Sequence, residues 1–120
     1  MRHVKSEDIK FKETPSGELL SILVGRHKSS GEAKQQTVAM ISLKSGMSSD
    51  PHFHKEREES YFFLEGHGIA KIDQTEISIK TGDLIFAAPG ERHQFKNAGQ
   101  SELRYIVFTA PSWIPEDSHS

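Results

Sequence analysis

The feature that most constrains the fold is a regular succession of short apolar or alternating segments, each closed by glycine, proline, asparagine or serine. Alternation of apolar and polar side chains is typical of a half-buried strand, and no stretch has the periodicity of an amphipathic helix. The polar segment 28–35 is interrupted by glycine and is predicted to be a loop. The predicted strands cover residues 9–12, 19–24, 37–43, 52–55, 59–64, 68–72, 76–80, 84–87, 93–96 and 103–109.

Many short strands separated by turns predict an all-β protein, an antiparallel sandwich or barrel. The chain has 120 residues, which suffice for one hydrophobic core, so we expect a single domain over 1–120. The tail 111–120 contains two prolines and an acidic polar end, and its last residues are expected to fray.

Several predicted strands are apolar on both faces. In the segment 59–64, Phe62 and Leu64 point away from Tyr61 and Phe63, because successive side chains of a strand alternate. One of these faces would be exposed to water in an isolated sandwich, and the usual cover for such a face is another subunit. We therefore expect a homodimer.

The charge balance and the absence of cysteine narrow the function classes. The chain has 15 basic and 17 acidic residues, so it lacks the positive field that nucleic acid would require. With no cysteine, disulfides, thiolate nucleophiles and iron–sulfur clusters are excluded, and any metal must be held by nitrogen and oxygen. The N-terminus has no apolar stretch and no apolar run is long enough to cross a bilayer, so we expect a cytoplasmic protein without membrane association.

Histidine is unusually frequent, with seven in the chain. His52 and His54 are two positions apart in an extended segment, which places their rings on the same face and suits two ligands of one ion. His93 opens a later predicted strand after a turn. The other histidines are expected to be surface or hydrogen-bonded residues, as most isolated histidines are; they are His3, His27, His67 and His119.

A carboxylate near the start of the returning strand can lie opposite the two imidazoles. Three glutamates compete for this role, Glu56, Glu58 and Glu59. Strand alternation places Glu59 on the same face as Tyr61 and Phe63, and Glu58 on the opposite face.

These residues belong to two longer patterns. Gly46, His52, His54, Glu59 and Gly66 are separated by five, one, four and six residues. Over 46–66 this spacing resembles the first motif of the cupin superfamily at all five of its fixed positions.

The segment 82–97 resembles the second cupin motif, which it matches at Gly82, Gly90, His93 and Asn97. The segment departs from this motif at Ala88, which stands where the motif normally has a proline, and Pro89 follows immediately. This departure affects the stiffness of a turn and no metal ligand.

The resemblance implies a double-stranded β-helix, also called a jelly-roll barrel, in which Glu59 is the carboxylate ligand. It implies metal ligation by His52, His54, Glu59 and His93. Three imidazoles and one carboxylate suit one divalent transition metal ion per chain, which can be iron, manganese, nickel, cobalt, copper or zinc. Four protein ligands leave two positions of an octahedral ion open for a small molecule.

Because cupins are chemically diverse, the expected function is stated as a class. We expect a metal-dependent enzyme that acts on a small molecule, either a dioxygenase or an isomerase or lyase. The alternative is a non-catalytic module that binds a small ligand and serves as a sensor or carrier. Tyr61, Phe63 and Phe95 lie in phase with the ligands and are candidates for the substrate pocket, although aromatic residues there also suit the barrel core.

Overall fold

The computed structural model covers residues 1–120 and consists of antiparallel strands with three short 3₁₀ turns. The strands are β1 (Lys12–Glu13), β2 (Leu19–Val24), β3 (Thr37–Leu43), β4 (Glu58–Glu65), β5 (His67–Ile72), β6 (Thr75–Lys80), β7 (Leu84–Ala87), β8 (His93–Asn97) and β9 (Leu103–Ala110). The turns are Ser6–Asp8, Lys28–Ser30 and Pro115–Asp117. The all-β prediction is confirmed, and no helix is long and apolar enough to span a membrane.

The strands form two sheets. The larger has the order β1-β2-β3-β9-β4-β7, and the smaller has the order β6-β5-β8. Alternation along β4 sends Tyr61 and Phe63 inward, where they are 3% and 0% exposed, and leaves Phe62 and Leu64 exposed. The predicted in-and-out assignment of these four residues is confirmed.

Both sheets contribute side chains to one hydrophobic core. Aromatic rings join the sheets, because Phe95 of β8 lies 4.6 Å from Tyr61 and 5.5 Å from Phe63, measured between ring centroids. Such tilted pairs are favourable arrangements for aromatic rings. The core residues are Leu43, Tyr61, Phe63, Ala70, Ile79, Ala87, Phe95, Leu103, Tyr105 and Val107.

Three local predictions need correction. The segment 52–55 is not a strand, since only isolated bridges join His52 to His93 and Phe53 to His119. The first strand covers Lys12–Glu13 instead of 9–12, and the predicted loop 28–35 begins with the 3₁₀ turn Lys28–Ser30. In the first case the backbone N–H groups that follow His54 are bound by a side chain, so they are not available to a neighbouring strand.

That side chain is Asp117, and it also corrects the expectation of a frayed tail. Its carboxylate accepts hydrogen bonds from the backbone N–H groups of Lys55, Glu56 and Arg57 at 2.9, 3.2 and 3.2 Å. It also pairs with the Arg57 guanidinium at 3.2 Å, and both side chains are buried. The tail is therefore held against the segment that carries His52 and His54.

The outer face of the larger sheet carries a group of exposed apolar side chains. Phe62 stands opposite Leu84 on β7, and Ser60, on the same face of β4, stands opposite both Phe86 on β7 and Phe108 on β9. We refer to Phe62, Leu84, Phe86 and Phe108 as the outer patch; their exposed fractions are 38%, 56%, 50% and 42%. Contiguous exposed apolar residues of this kind are typical of an interaction surface.

Candidate metal centre

Four side chains from three parts of the chain meet inside the barrel. Glu59 comes from β4 in the larger sheet, His93 from β8 in the smaller sheet, and His52 and His54 from the segment between β3 and β4. One potential ligand atom from each of these residues lies within 4.8 Å of all the others. The structure thus brings together all four residues that the sequence singled out, and this cluster could hold a metal ion.

Backbone contacts fix the two histidine segments to each other. His52 and His93 exchange hydrogen bonds between their N–H and carbonyl groups at 3.2 and 2.9 Å. The N–H of Gly90 donates to the carbonyl oxygen of His54 at 2.7 Å, and Gly90 has a φ of +87°, a conformation that favours glycine. The turn that precedes His93 is therefore anchored directly to His54.

Each histidine is oriented by a hydrogen bond at its Nδ1 atom. The Nδ1 atoms of His52, His54 and His93 lie 2.8, 2.7 and 3.1 Å from the backbone carbonyl oxygens of Asp50, Asp117 and Glu91. A carbonyl oxygen can only accept, so Nδ1 must carry the proton in each ring. In the neutral imidazole, Nε2 is then left with a free lone pair, which is the arrangement that metal-binding histidines adopt.

The Nε2 atoms of His52 and His54 lack suitable protein partners, and Nε2 of His93 faces the Tyr61 hydroxyl at 2.7 Å. Nε2 of His52 lies 3.2 Å from Nε2 of His93, and two lone pairs cannot form a hydrogen bond with each other. With the proton on Nδ1, neutral His54 points its Nε2 lone pair at the Glu59 carboxylate oxygen 3.0 Å away, and this buried atom has no hydrogen-bond partner. A divalent cation between these atoms would satisfy all three, so the residues fit a metal ion.

Glu59 supplies the negative charge of the cluster. It is 5% exposed, and its carboxylate accepts hydrogen bonds from the hydroxyl groups of Tyr61 and Thr109, the latter at 2.6 Å. Burial alone would raise the pKa of Glu59, but its interactions with His54 and His93 outweigh burial and lower this pKa well below the usual range. Glu59 is therefore ionised at neutral pH.

The other two glutamates that compete for this role in the sequence do not reach the cluster. Glu58 is exposed on the opposite face of β4, and the Glu56 side chain is 81% exposed beside Arg57.

Two of the histidines have pKa values that shift in opposite directions. Burial lowers the pKa of His52. Burial also acts to lower the pKa of His54, but its interaction with the Glu59 carboxylate outweighs this effect and the pKa is raised. In the metal-free protein His54 is therefore the favoured site for a proton, which a metal ion would displace.

A cavity of about 310 Å³ adjoins the cluster, and His52 and Glu59 form part of its wall. Tyr61 and Phe95, two of the three aromatic pocket candidates, also line it. Phe63 does not line the cavity, because it is fully buried in the core between Phe95 and Tyr105.

Sequence reasoning missed the residues that support the cluster from a distance. Asp117 orients His54 from 63 positions further along the chain, and Thr109 binds Glu59 from 50 positions away. Trp113 and His119 of the tail line the cavity, although the sequence assigns His119 to the surface or hydrogen-bonded histidines without a role in the site. No local signal marks these positions, since only folding brings them to the site.

Comparison with known proteins places these features in a family. Residues 39–109 match the family model described as Cupin domain. An uncharacterized protein of Methanocaldococcus jannaschii is 28% identical over 120 residues, which cover 98% of this chain and 94% of that protein. The oxalate-binding protein of Thermotoga maritima is 32% identical over 74 residues, which cover 62% of this chain and 61% of that protein.

The fold also matches solved structures. A crystal structure of a Thermotoga maritima protein described as a predicted oxalate decarboxylase superposes with a TM-score of 0.81 at 23% identity. The match covers 92% of this chain and 99% of that chain, and likeness at this identity shows the fold alone. The double-stranded β-helix predicted from the two sequence motifs is confirmed.

Proposed function

Because this chain belongs to the cupin domain family, we propose that it is a metal-dependent enzyme that acts on a small molecule. The observation that carries the proposal is the convergence of three imidazole Nε2 atoms and an ionised carboxylate beside a cavity whose wall includes His52 and Glu59. Binding sites for small molecules are concave, largely apolar and supplied with a few directed polar groups, as this cavity is.

The ion is one divalent transition metal per chain, held by His52, His54, Glu59 and His93. Nitrogen and oxygen ligands of this kind accept iron, manganese, nickel, cobalt, copper or zinc. When bound, the ion supplies a Lewis acid with coordination positions left open for substrate.

The surrounding side chains orient the ligand and exclude water. Tyr61 lies beside both Glu59 and His93, with its hydroxyl 2.7 Å from Nε2 of His93. Burial raises the pKa of Tyr61, so its phenol stays protonated and remains a hydrogen-bond donor. Tyr61 and Phe95 belong to the aromatic part of the substrate pocket, and Phe63 supports them from the core.

The reaction is of the dioxygenase type or of the isomerase or lyase type, and one experiment separates them. Iron(II)-loaded protein is incubated with catechols, flavonols, thiols and sugar phosphates while oxygen consumption and products are measured. Oxygen uptake with product supports a dioxygenase, and product without uptake supports an isomerase or lyase. The His93→Ala variant is the control, because activity that persists in it does not come from this site.

A second candidate function is ligand binding without turnover, as in a sensor or carrier. It is favoured by the similarity to a Thermotoga maritima protein that is named for binding oxalate. Saturable binding without product from any compound in the same experiment would support this candidate over the enzyme.

We also propose that the protein acts as a homodimer that buries the outer patch. Four apolar side chains on one sheet face are between 38% and 56% exposed, and a symmetric partner would remove them from water.

A further inference from the structure

The electrostatic character of the cavity restricts what can bind in it. None of the residues that line the cavity is lysine or arginine. Apart from Glu59, its charged side chains are the acidic residues Glu18 and Asp50. His52 belongs to the metal cluster, so the remaining basic side chain on the wall is His119, whose Nε2 lies 3.6 Å from the Asp117 carboxylate.

The acidic part of the wall is held in place by hydrogen bonds. Oε1 of Glu18 accepts from the backbone N–H of Asp50 at 2.8 Å and from the hydroxyl of Ser16 at 2.9 Å. The charge of Glu18 acts on the interior as well, since it adds to burial in raising the pKa of Tyr105 on the cavity wall. An anion entering the cavity would meet this fixed negative charge.

The rest of the wall is apolar and aromatic. Phe95 lies 4.6 Å from Tyr61 and 5.3 Å from Tyr105, measured between ring centroids, and all three rings line the cavity. Leu20 and Ile41 contribute aliphatic surface from β2 and β3. Flat apolar ligands gain both buried area and ring contacts on such a wall.

From this wall we propose that the cavity selects an uncharged aromatic molecule with two adjacent oxygen atoms that reach the metal, and that it disfavours ligands with a further anionic group. The inference rests on the proposed function, because the bound metal is the one strong anchor for oxygen. A carboxylate or phosphate group that lies off the metal would lose its hydration without gaining a guanidinium or ammonium partner, and it would be repelled by Glu18 and Asp50. A volume of about 310 Å³ is at the small end for a ligand site and suits one or two rings.

Two probes of the same shape test this selectivity, 3,4-dihydroxybenzamide and 3,4-dihydroxybenzoate. Both present the same pair of hydroxyl groups, but only the benzoate carries a charge. Dissociation constants are measured on the cobalt(II)-loaded protein from the visible absorption of cobalt and from the fluorescence of Trp113, the single tryptophan, which lines the cavity. We expect the amide to bind about tenfold more tightly than the benzoate, because the benzoate carboxylate is repelled by the acidic side chains of the wall.

A pair of matched variants tests whether the charge of Glu18 causes this preference. Glu18→Gln retains the side-chain oxygen that accepts from Asp50 and removes the charge, so the preference for the amide should fall several-fold. Glu58→Gln, on the outer face of β4, should leave the preference unchanged. Equal or tighter binding of the benzoate by loaded wild-type protein would overturn this inference alone. Failure to take up cobalt, read by elemental analysis before any probe is added, would overturn the proposed function and the inference with it.

Discussion

The backbone carbonyl oxygen of Asp117 lies 2.7 Å from Nδ1 of His54, although 63 positions separate the two residues in sequence. The same residue binds the N–H groups of the segment that follows His54 through its carboxylate. Asp117 thus sets the tautomer of a candidate metal ligand and holds the adjoining backbone, so the tail stabilises both the fold and the site.

Replacing Asp117 should destabilise the protein in a pH-dependent way. Hydrogen bonds from backbone N–H groups and Arg57 lower the pKa of Asp117 to about 2, against a usual value of 3.8, even though burial opposes ionisation. A depressed pKa means that the stabilisation is complete above pH 4 and is lost as the pH falls from 4 towards 2. We expect Asp117→Asn to lower the free energy of unfolding by roughly 2 kcal/mol at pH 7, with the difference closing in that acid range.

Urea denaturation of both proteins between pH 2 and pH 7 measures this difference. Asp8→Asn, at an exposed position, is the control and should match wild type throughout. A constant difference across the acid range would show that the Asp117 carboxylate is not the source of the stabilisation.

His93→Ala should remove metal as effectively as His52→Ala, although the two histidines are 41 positions apart. Each supplies one Nε2 atom to the same cluster, and loss of either leaves an incomplete coordination sphere. We expect about one metal ion per chain in wild type and an affinity lower by about 100-fold or more in both variants. Elemental analysis after dialysis measures this, with the exposed His3→Ala as control; full occupancy in His93→Ala would show that the second motif does not contribute a ligand.

Glu59→Gln should weaken metal binding strongly, while Glu58→Gln and Glu56→Gln should leave it near wild type. Glu59 is buried among the histidines and ionised, whereas the other two carboxylates are exposed and reach no part of the cluster. Titration of the three variants with zinc against a chromogenic chelator ranks their affinities. If Glu58→Gln were the variant that loses metal, the register of β4 would be shifted by one residue.

Phe95→Leu and Phe63→Leu should have different effects on ligand binding although both replace buried aromatic residues. Both side chains are at most 1% exposed, but only Phe95 lines the cavity. We expect both variants to lose about 1–2 kcal/mol of unfolding free energy. Phe95→Leu should also weaken binding of 3,4-dihydroxybenzamide about fivefold, as loss of an aromatic contact predicts. An equal loss of affinity in Phe63→Leu would place that residue in the pocket after all.

Phe86→Lys should dissociate the proposed homodimer. Phe86 is 50% exposed in the outer patch, and a charge buried in an apolar interface without a partner is strongly unfavourable. Sedimentation at micromolar concentration should give the mass of two chains for wild type and of one chain for the variant. Ile77→Lys, at an exposed apolar position on the smaller sheet, should remain dimeric. A single-chain mass for wild type would refute the dimer.

Local patterns predicted most of the strands, and the resemblance of two motifs to the cupin family implied the composition of the candidate site. Alternation along β4 assigned Tyr61 and Phe63 to the interior because side chains of a strand alternate wherever it lies. The resemblance of the two motifs to the cupin family implied His52, His54, Glu59 and His93 as ligands, and the structure brings these four side chains together.

Other features depend on segments that meet only after folding. Sequence patterns could not tell that Phe95 lines the cavity while Phe63 lies behind it, since both are inward-facing aromatic residues and they come from different sheets. The segment 52–55 is predicted to be a strand, yet it forms only isolated bridges at His52 and Phe53, and the N–H of Lys55 binds Asp117, which no local signal identifies as its partner. Buried polar groups form hydrogen bonds with the groups that lie close to them in three dimensions. Which groups lie close is decided only when the barrel closes.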